Sequence, residues 1–224
     1  MQQSPVRPPY EPIGAVEAEA PPASQRLLSK LRTRQKVMSA ARQLFSEHGY
    51  EAATIRDIAR AAGMSTGAVF ANFQDKADLF EAVMAEDFDR VADVMRAATD
   101  STAGQPLSDR LSIMFAAAYR DGFTDVPLVQ AAVAQSWVHA RAAEVRGRNR
   151  LKITTGVIGD LLRSATTAGE IRADFDIKLI SEMLWDAFIG NYRRGAFDGW
   201  TAEQQMTRLA DQIAVILASL RQPA

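Results

Sequence analysis

The side chains best placed to do chemistry are Ser65, Thr66 and Asn72, grouped around two small residues, Gly67 and Ala68. Two hydroxyls and a carboxamide donate and accept hydrogen bonds, and none of them is an acid or base set to make or break covalent bonds. Ser65 suits the N-cap of a short helix running to about Ala71. Ser65, Thr66 and Gly67 would then open that helix with free backbone N–H groups and the positive end of the helix dipole, a favourable place for anionic oxygen.

The elements that must position these groups lie on either side. Ile55, Ile58, Ala59 and Ala62 recur at helical spacing. Thr54-Ile55-Arg56-Asp57 makes a capping-box-like start, and Gly63 suits the left-handed residue that ends a helix. Helix, Gly-containing turn and second helix make a helix-turn-helix over residues 54–73. Such a unit lays its second helix in a DNA major groove while the first braces it. Gly67 and Ala68 would let that helix approach the groove floor, Thr66 and Asn72 would reach base edges, and Ala68 and Ala71 could touch a thymine methyl. An amphipathic stretch with Val37, Ala41, Leu44 and Phe45 comes before and stops at Gly49. After it, Asp75 caps a helix whose apolar positions begin at Leu79 and Phe80.

Residues from about 31 to 85 resemble the DNA-binding domain of the tetracycline-repressor (TetR/AcrR) family of bacterial regulators. Ala41, Phe45, Gly49-Tyr50, Thr54, Ile58-Ala59, Ala62-Gly63-Met64-Ser65, Gly67, Val69, Phe73, Lys76 and Leu79 carry the resemblance. It implies that Thr54 is both cap and phosphate contact and that Lys76 binds phosphate. Phe70 stands where the family usually has Tyr and lacks the hydroxyl for a phosphate contact. With Arg32 and Arg34 from the basic start of the first helix, the expected DNA-binding set is Arg32, Arg34, Thr54, Ser65, Thr66, Gly67, Ala68, Phe70, Ala71, Asn72 and Lys76.

Charge is distributed to match. Residues 24–80 hold nine basic and five acidic side chains, whereas the whole chain has a net charge of −1. A basic module on an acidic body suits a phosphate-binding head. The first 23 residues are proline-rich, with Arg7 against Glu11, Glu17 and Glu19, and read as a disordered arm. No cysteine is present, which removes disulfides, thiolate metal sites and thiol switches. No Gly-rich phosphate loop, metal-ligand set or Ser-His-Asp arrangement appears, so neither enzyme, cofactor nor metal is expected. No run approaches the ~20 apolar residues of a membrane span, and the start lacks a secretion pattern; a cytoplasmic location is expected.

The expected fold is all-α with about nine helices: the arm over 1–23, the DNA-binding domain over 24–80, and a helical ligand-binding and dimerisation domain over 81–224. Met114, Phe115, Tyr119, Trp137, His139, Met183 and Trp185 are pocket candidates, being adaptable apolar and amphipathic side chains. Ile180, Leu184 and Phe188 with Leu209, Ile213, Ile216, Leu217 and Leu220 form apolar helix faces that the resemblance assigns to a two-fold dimer interface. Burial inside one chain is the other reading of those faces. The expected function is a homodimeric repressor of an inverted-repeat operator in double-stranded DNA, released by a small lipophilic effector. The alternative is a constitutive or architectural DNA binder.

Overall fold

The computed structural model describes residues 22–122, 125–138 and 141–221; the arm expected over residues 1–23 lies outside them except for Pro22 and Ala23, which open the first helix instead. Nine α-helices and one π-helical turn account for the regular structure among the described residues. Helix α1 spans Pro22–Ala52, α2 Ile55–Ala61, α3 Thr66–Phe70 and α4 Lys76–Asp100. Then follow α5 (Leu107–Ala117), the π-helical turn Ala118–Gly122, α6 (Val126–Val138) and α7 (Arg141–Thr167). Helices α8 (Ile177–Asp198) and α9 (Ala202–Ala218) complete the chain. None of the described helices is long and apolar enough to cross a membrane.

Two apolar cores organise these helices. The first gathers Val37, Ala41 and Phe45 of α1, Ile58 of α2, Val69 of α3, and Leu79, Phe80, Val83 and Met84 of α4. Phe45 and Tyr50 meet Phe80 edge-on, with ring centroids 5.2 and 4.9 Å away. Gly49, at φ 78° and ψ 165°, leaves the helical conformation and breaks α1 at a kink, the stop expected there, and a short helical segment follows to Ala52. Leu128 of α6 is also part of this core, so the core draws on chain well beyond residue 80. Asp125 fixes that approach by accepting from the Ser46 hydroxyl and from the Leu128 N–H, both at 3.0 Å.

The second core holds Met95, Leu111, Phe115, Ile158, Leu162, Leu184, Phe188, Leu209 and Ile213. Phe88 of α4 packs against both cores. Near it Asp87, 2% exposed, accepts from Arg42 of α1 at 2.7 and 2.9 Å and also pairs with Arg90. A buried carboxylate needs such partners. Helix α4, about 37 Å long for its 25 residues, thus runs from one core to the other.

The expected dimer face needs correction. Leu184, Phe188, Leu209, Ile213 and Leu220 are at most 1% exposed, and Ile180 is buried beside them. Ile216 and Leu217 pack partly buried against the same core. Six of these eight side chains are interior to one chain, and Ile216 and Leu217 lie partly exposed at the edge of its core. Helix α8 is apolar on more than one side, so periodicity found a stripe without saying which way it faces. The side chains left outside are Leu179, Met183 and Phe197 on α8 and Val215 on α9.

Candidate nucleic-acid interface

The exposed surface around α3 is built by local chain chemistry. Thr54 caps α2: its hydroxyl accepts from the Asp57 N–H at 3.2 Å and donates to the Asp57 carboxylate at 2.5 Å. At the other end Gly63 takes φ 66°. The Met64 N–H reaches the Ala59 carbonyl at 2.8 Å and the Gly63 N–H reaches Arg60 at 3.1 Å, a Schellman closure. Ser65 then adopts an extended conformation and its hydroxyl accepts from the Ala68 N–H at 3.2 Å. A five-residue helix has little stability of its own. Buried Val69 and Phe73 hold this one against the first core.

That anchoring turns one face of α3 outward. Ser65, Thr66, Gly67, Phe70 and Ala71 are exposed, and Ala68 is half-buried between them. A Cβ at Gly67 would meet only the Ser65 hydroxyl, at 3.8 Å, so packing does not demand glycine there; its absence of side chain keeps the surface open to close approach. Phe70 is 55% exposed, so the aromatic ring does not pack into the core. Thr66 presents a free-standing hydroxyl beside it. Arg56, on the outer side of α2, is exposed as well and had no place in the sequence-based set. Its signal was the position across the helix from buried Ile58.

Three expected DNA contacts are occupied within the chain. Asn72 donates its amide to the Ala68 carbonyl at 2.9 Å, leaving a buried Oδ1 with no hydrogen-bond partner; the carboxamide folds back along α3 instead of reaching outward. Arg34 donates to the Asn72 backbone carbonyl at 2.9 Å and stacks over Phe73 at 4.2 Å, bracing the end of α3. Lys76 donates to the carbonyls of Tyr50 and Glu51 at 2.9 and 3.2 Å, which satisfies the C-terminal end of α1. The resemblance implied a phosphate role for Lys76, and the backbone carbonyls that folding brings near it are invisible in sequence. Arg32 remains exposed, and with Lys36, Ala61 and Ala62 it lines a shallow groove of about 520 Å³ between α1 and α2.

The expected pocket side chains divide. Phe115, Tyr119 and Trp185 converge on Phe188, at centroid distances of 5.1, 4.4 and 5.4 Å, with Met114 in the same core. The Tyr119 hydroxyl donates to the Phe188 carbonyl at 2.9 Å, and burial raises its pKa above the usual tyrosine value. Met183 is corrected to the outer surface, at 44% exposed, because it lies on the opposite side of α8 from Leu184 and Phe188. The Trp137 side chain and His139 lie outside the described part.

The family model "Bacterial regulatory proteins, tetR family" matches residues 37–83, the segment that supplies most of the first core and displays α3. Over that segment the chain is similar to the tetR family. Over 63 residues it is 48% identical to the HTH-type transcriptional repressor AcnR of Corynebacterium glutamicum, covering 28% of this chain and 34% of that one. The match therefore spans about a third of that relative's length. The HTH-type transcriptional regulator UidR of Escherichia coli is 25% identical over 158 residues, 70% of this chain and 79% of UidR. The fold matches that of FadR from Bacillus subtilis, solved in complex with stearoyl-CoA, with a TM-score of 0.69 over 84% of this chain and 99% of FadR at 14% identity. Residues 37–83 are thus similar to the corresponding part of named repressors, and the all-α fold is similar to that of FadR.

Proposed function

We propose that this protein is a sequence-specific DNA-binding transcriptional repressor of the tetR family that works as a homodimer on an inverted repeat. The observation that carries this reading is the outward face of α3. Thr66, Gly67, Phe70 and Ala71 stand exposed on a helix whose opposite side is anchored by Val69. A rigid helix with a bare N-terminal turn fits a major groove, and two related by a two-fold axis fit an inverted repeat. The second copy is assigned to the outer apolar side chains Leu179 and Met183 of α8 and Val215 of α9, which sit on neighbouring helices and are 52, 44 and 73% exposed. Footprinting on a selected duplex is expected to show two-fold protection; protection of an asymmetric, unrepeated site would overturn it.

The proposal includes release of DNA by a small lipophilic effector bound in the body. The aromatic core around Phe188 and the contact of α6 with the first core support it, as does a fold shared with an acyl-CoA-bound FadR. A ligand that favours one arrangement of α4 and α6 changes DNA affinity by the same factor by which DNA changes ligand affinity. The tight packing of Phe115, Tyr119 and Trp185 on Phe188 favours the second reading, a ligand-independent binder. Titration of the protein–operator complex with stearoyl-CoA and other lipophilic compounds separates the two. Effector control requires weaker operator binding and a raised melting temperature of the free protein with at least one compound; operator affinity indifferent to all of them leaves the ligand-independent binder.

A further inference from the structure

Helix α1 begins at Pro22, fifteen residues before the tetR match starts at residue 37. The described side chains over residues 25–32 are all exposed, so this part of α1 extends past the first core. No acidic residue occurs between Ala23 and Ser46, while Arg26, Lys30, Arg32, Arg34 and Lys36 fall in that interval. Arg26, Lys30 and Arg34 follow each other at i, i+4 and i+8 and share one row of the helix.

The position of that row is fixed at one end. Arg34 holds the Asn72 carbonyl and lies on Phe73, at the C-terminal end of α3. At 1.5 Å per residue, Lys30 and Arg26 stand about 6 and 12 Å further along the axis, on the side of α1 that carries the α2–α3 unit. Neither makes a hydrogen bond or an ion pair with another described residue, unlike Arg34 and Lys76.

We infer that Arg26 and Lys30 grip the sugar–phosphate backbone of duplex DNA just outside the half-site read by α3. The inference rests on the DNA-binding reading above and adds a contact beyond the helix-turn-helix. A cationic row uninterrupted by acids matches a polyanion, and its register with the end of α3 carries it along the same duplex. Leu27, Leu28 and Leu31, between 47 and 59% exposed, flank the row and make an anionic bilayer the competing partner. The alignment with Arg34 decides for DNA.

The experiment compares the full-length protein with the R26A/K30A variant on a duplex selected from a randomised pool. The duplex is used with one helical turn, about 10 base pairs, of flank on each side, and trimmed to the repeat. On the flanked duplex the variant is expected to lose about 1.8 per bound chain from the salt slope, two contacts at about 0.9 each. Trimming should lower the slope of the parent protein to that of the variant and leave the variant unchanged. The charge-preserving R26K/K30R variant should retain the parent slope. Equal slopes and affinities for parent and R26A/K30A on the flanked duplex would overturn the inference while leaving α3 as the reader. Binding to phosphatidylglycerol–phosphatidylethanolamine vesicles that R26A/K30A abolishes, with DNA binding unaltered, would overturn it in favour of a bilayer. Failure of the parent protein to select any duplex would overturn the DNA-binding reading itself.

Discussion

Lys76 ties the start of α4 to the end of α1 through Tyr50: its ammonium lies 2.9 Å from the Tyr50 carbonyl and 4.3 Å over the Tyr50 ring. The same ammonium reaches the Glu51 carbonyl at 3.2 Å. Two charge-assisted bonds and the ring contact close the first core where Gly49 bends the chain. Lys76→Ala is therefore expected to lower stability by about 1.5–3 kcal/mol, read from the urea midpoint of the full-length protein. The salt slope of operator binding should stay at its parent value. A slope lower by about one unit with unchanged stability would return Lys76 to the phosphate.

Phe70 offers a gain-of-contact test. Its ring is 55% exposed on the outer face of α3, so a para-hydroxyl meets no packed neighbour. Phe70→Tyr is expected to leave stability within about 0.5 kcal/mol. A new hydroxyl donor to phosphate is worth about 1 kcal/mol, which corresponds to several-fold tighter operator binding. Fluorescence anisotropy on the selected duplex reads both affinities. Weaker binding by the variant would mean that the bare ring itself contacts DNA.

The two sides of α8 separate folding from assembly. Leu184 is fully buried, so Leu184→Ala is expected to cost about 2–5 kcal/mol of unfolding free energy. Leu179 and Met183 are exposed, so the L179D/M183D double variant should keep the single-chain fold and lose the dimer. Circular dichroism and sedimentation velocity read the two properties independently. A dimer that survives the double variant would exclude this side of α8.

The helix-turn-helix was legible in the sequence because each of its parts is local. Thr54, Ser65 and Asp75 cap the helices that follow them, and Gly63 closes α2, all within a few residues of their partners. What sequence could not show is contact over distance. Arg34 meets Asn72 and Lys76 meets Tyr50 across 38 and 26 residues, so both cations already hold partners within the chain. Asn72 was assigned outward because its amide can read a base, but the Ala68 carbonyl one turn back is the nearer partner. In the body, the apolar periods of α8 and α9 were correct as helices and misleading as surfaces. Leu184 faces in and Met183 faces out on neighbouring positions.

Tyr192 gives the body an alkaline limit. Burial, reinforced by Asp125 and Asp87, raises its pKa to about 12 from the usual tyrosine value of 10.0. A raised folded pKa means that the neutral phenol is favoured by the fold. Its contribution is complete below pH 10 and is lost as pH climbs from about 10 to 12. Two units set an upper bound of about 2.7 kcal/mol, and solvent around the phenol reduces the loss below it. Urea midpoints at pH 9 and pH 11.5 should fall steeply for the parent protein and less steeply for Tyr192→Phe. Parallel losses would place the alkaline sensitivity elsewhere.

The most direct test of the central claim is to let the full-length protein choose from a pool of randomised duplexes and to sequence what it retains. A homodimer reading DNA through two copies of α3 should enrich an inverted repeat whose half-site centres lie one helical turn, about 10 base pairs, or a multiple of it apart. Thr66→Ala should relax base preference at particular positions of each half-site, at about 1–3 kcal/mol per lost contact. Enrichment of an asymmetric single site, or recovery of the pool unchanged, would contradict two-fold recognition through α3.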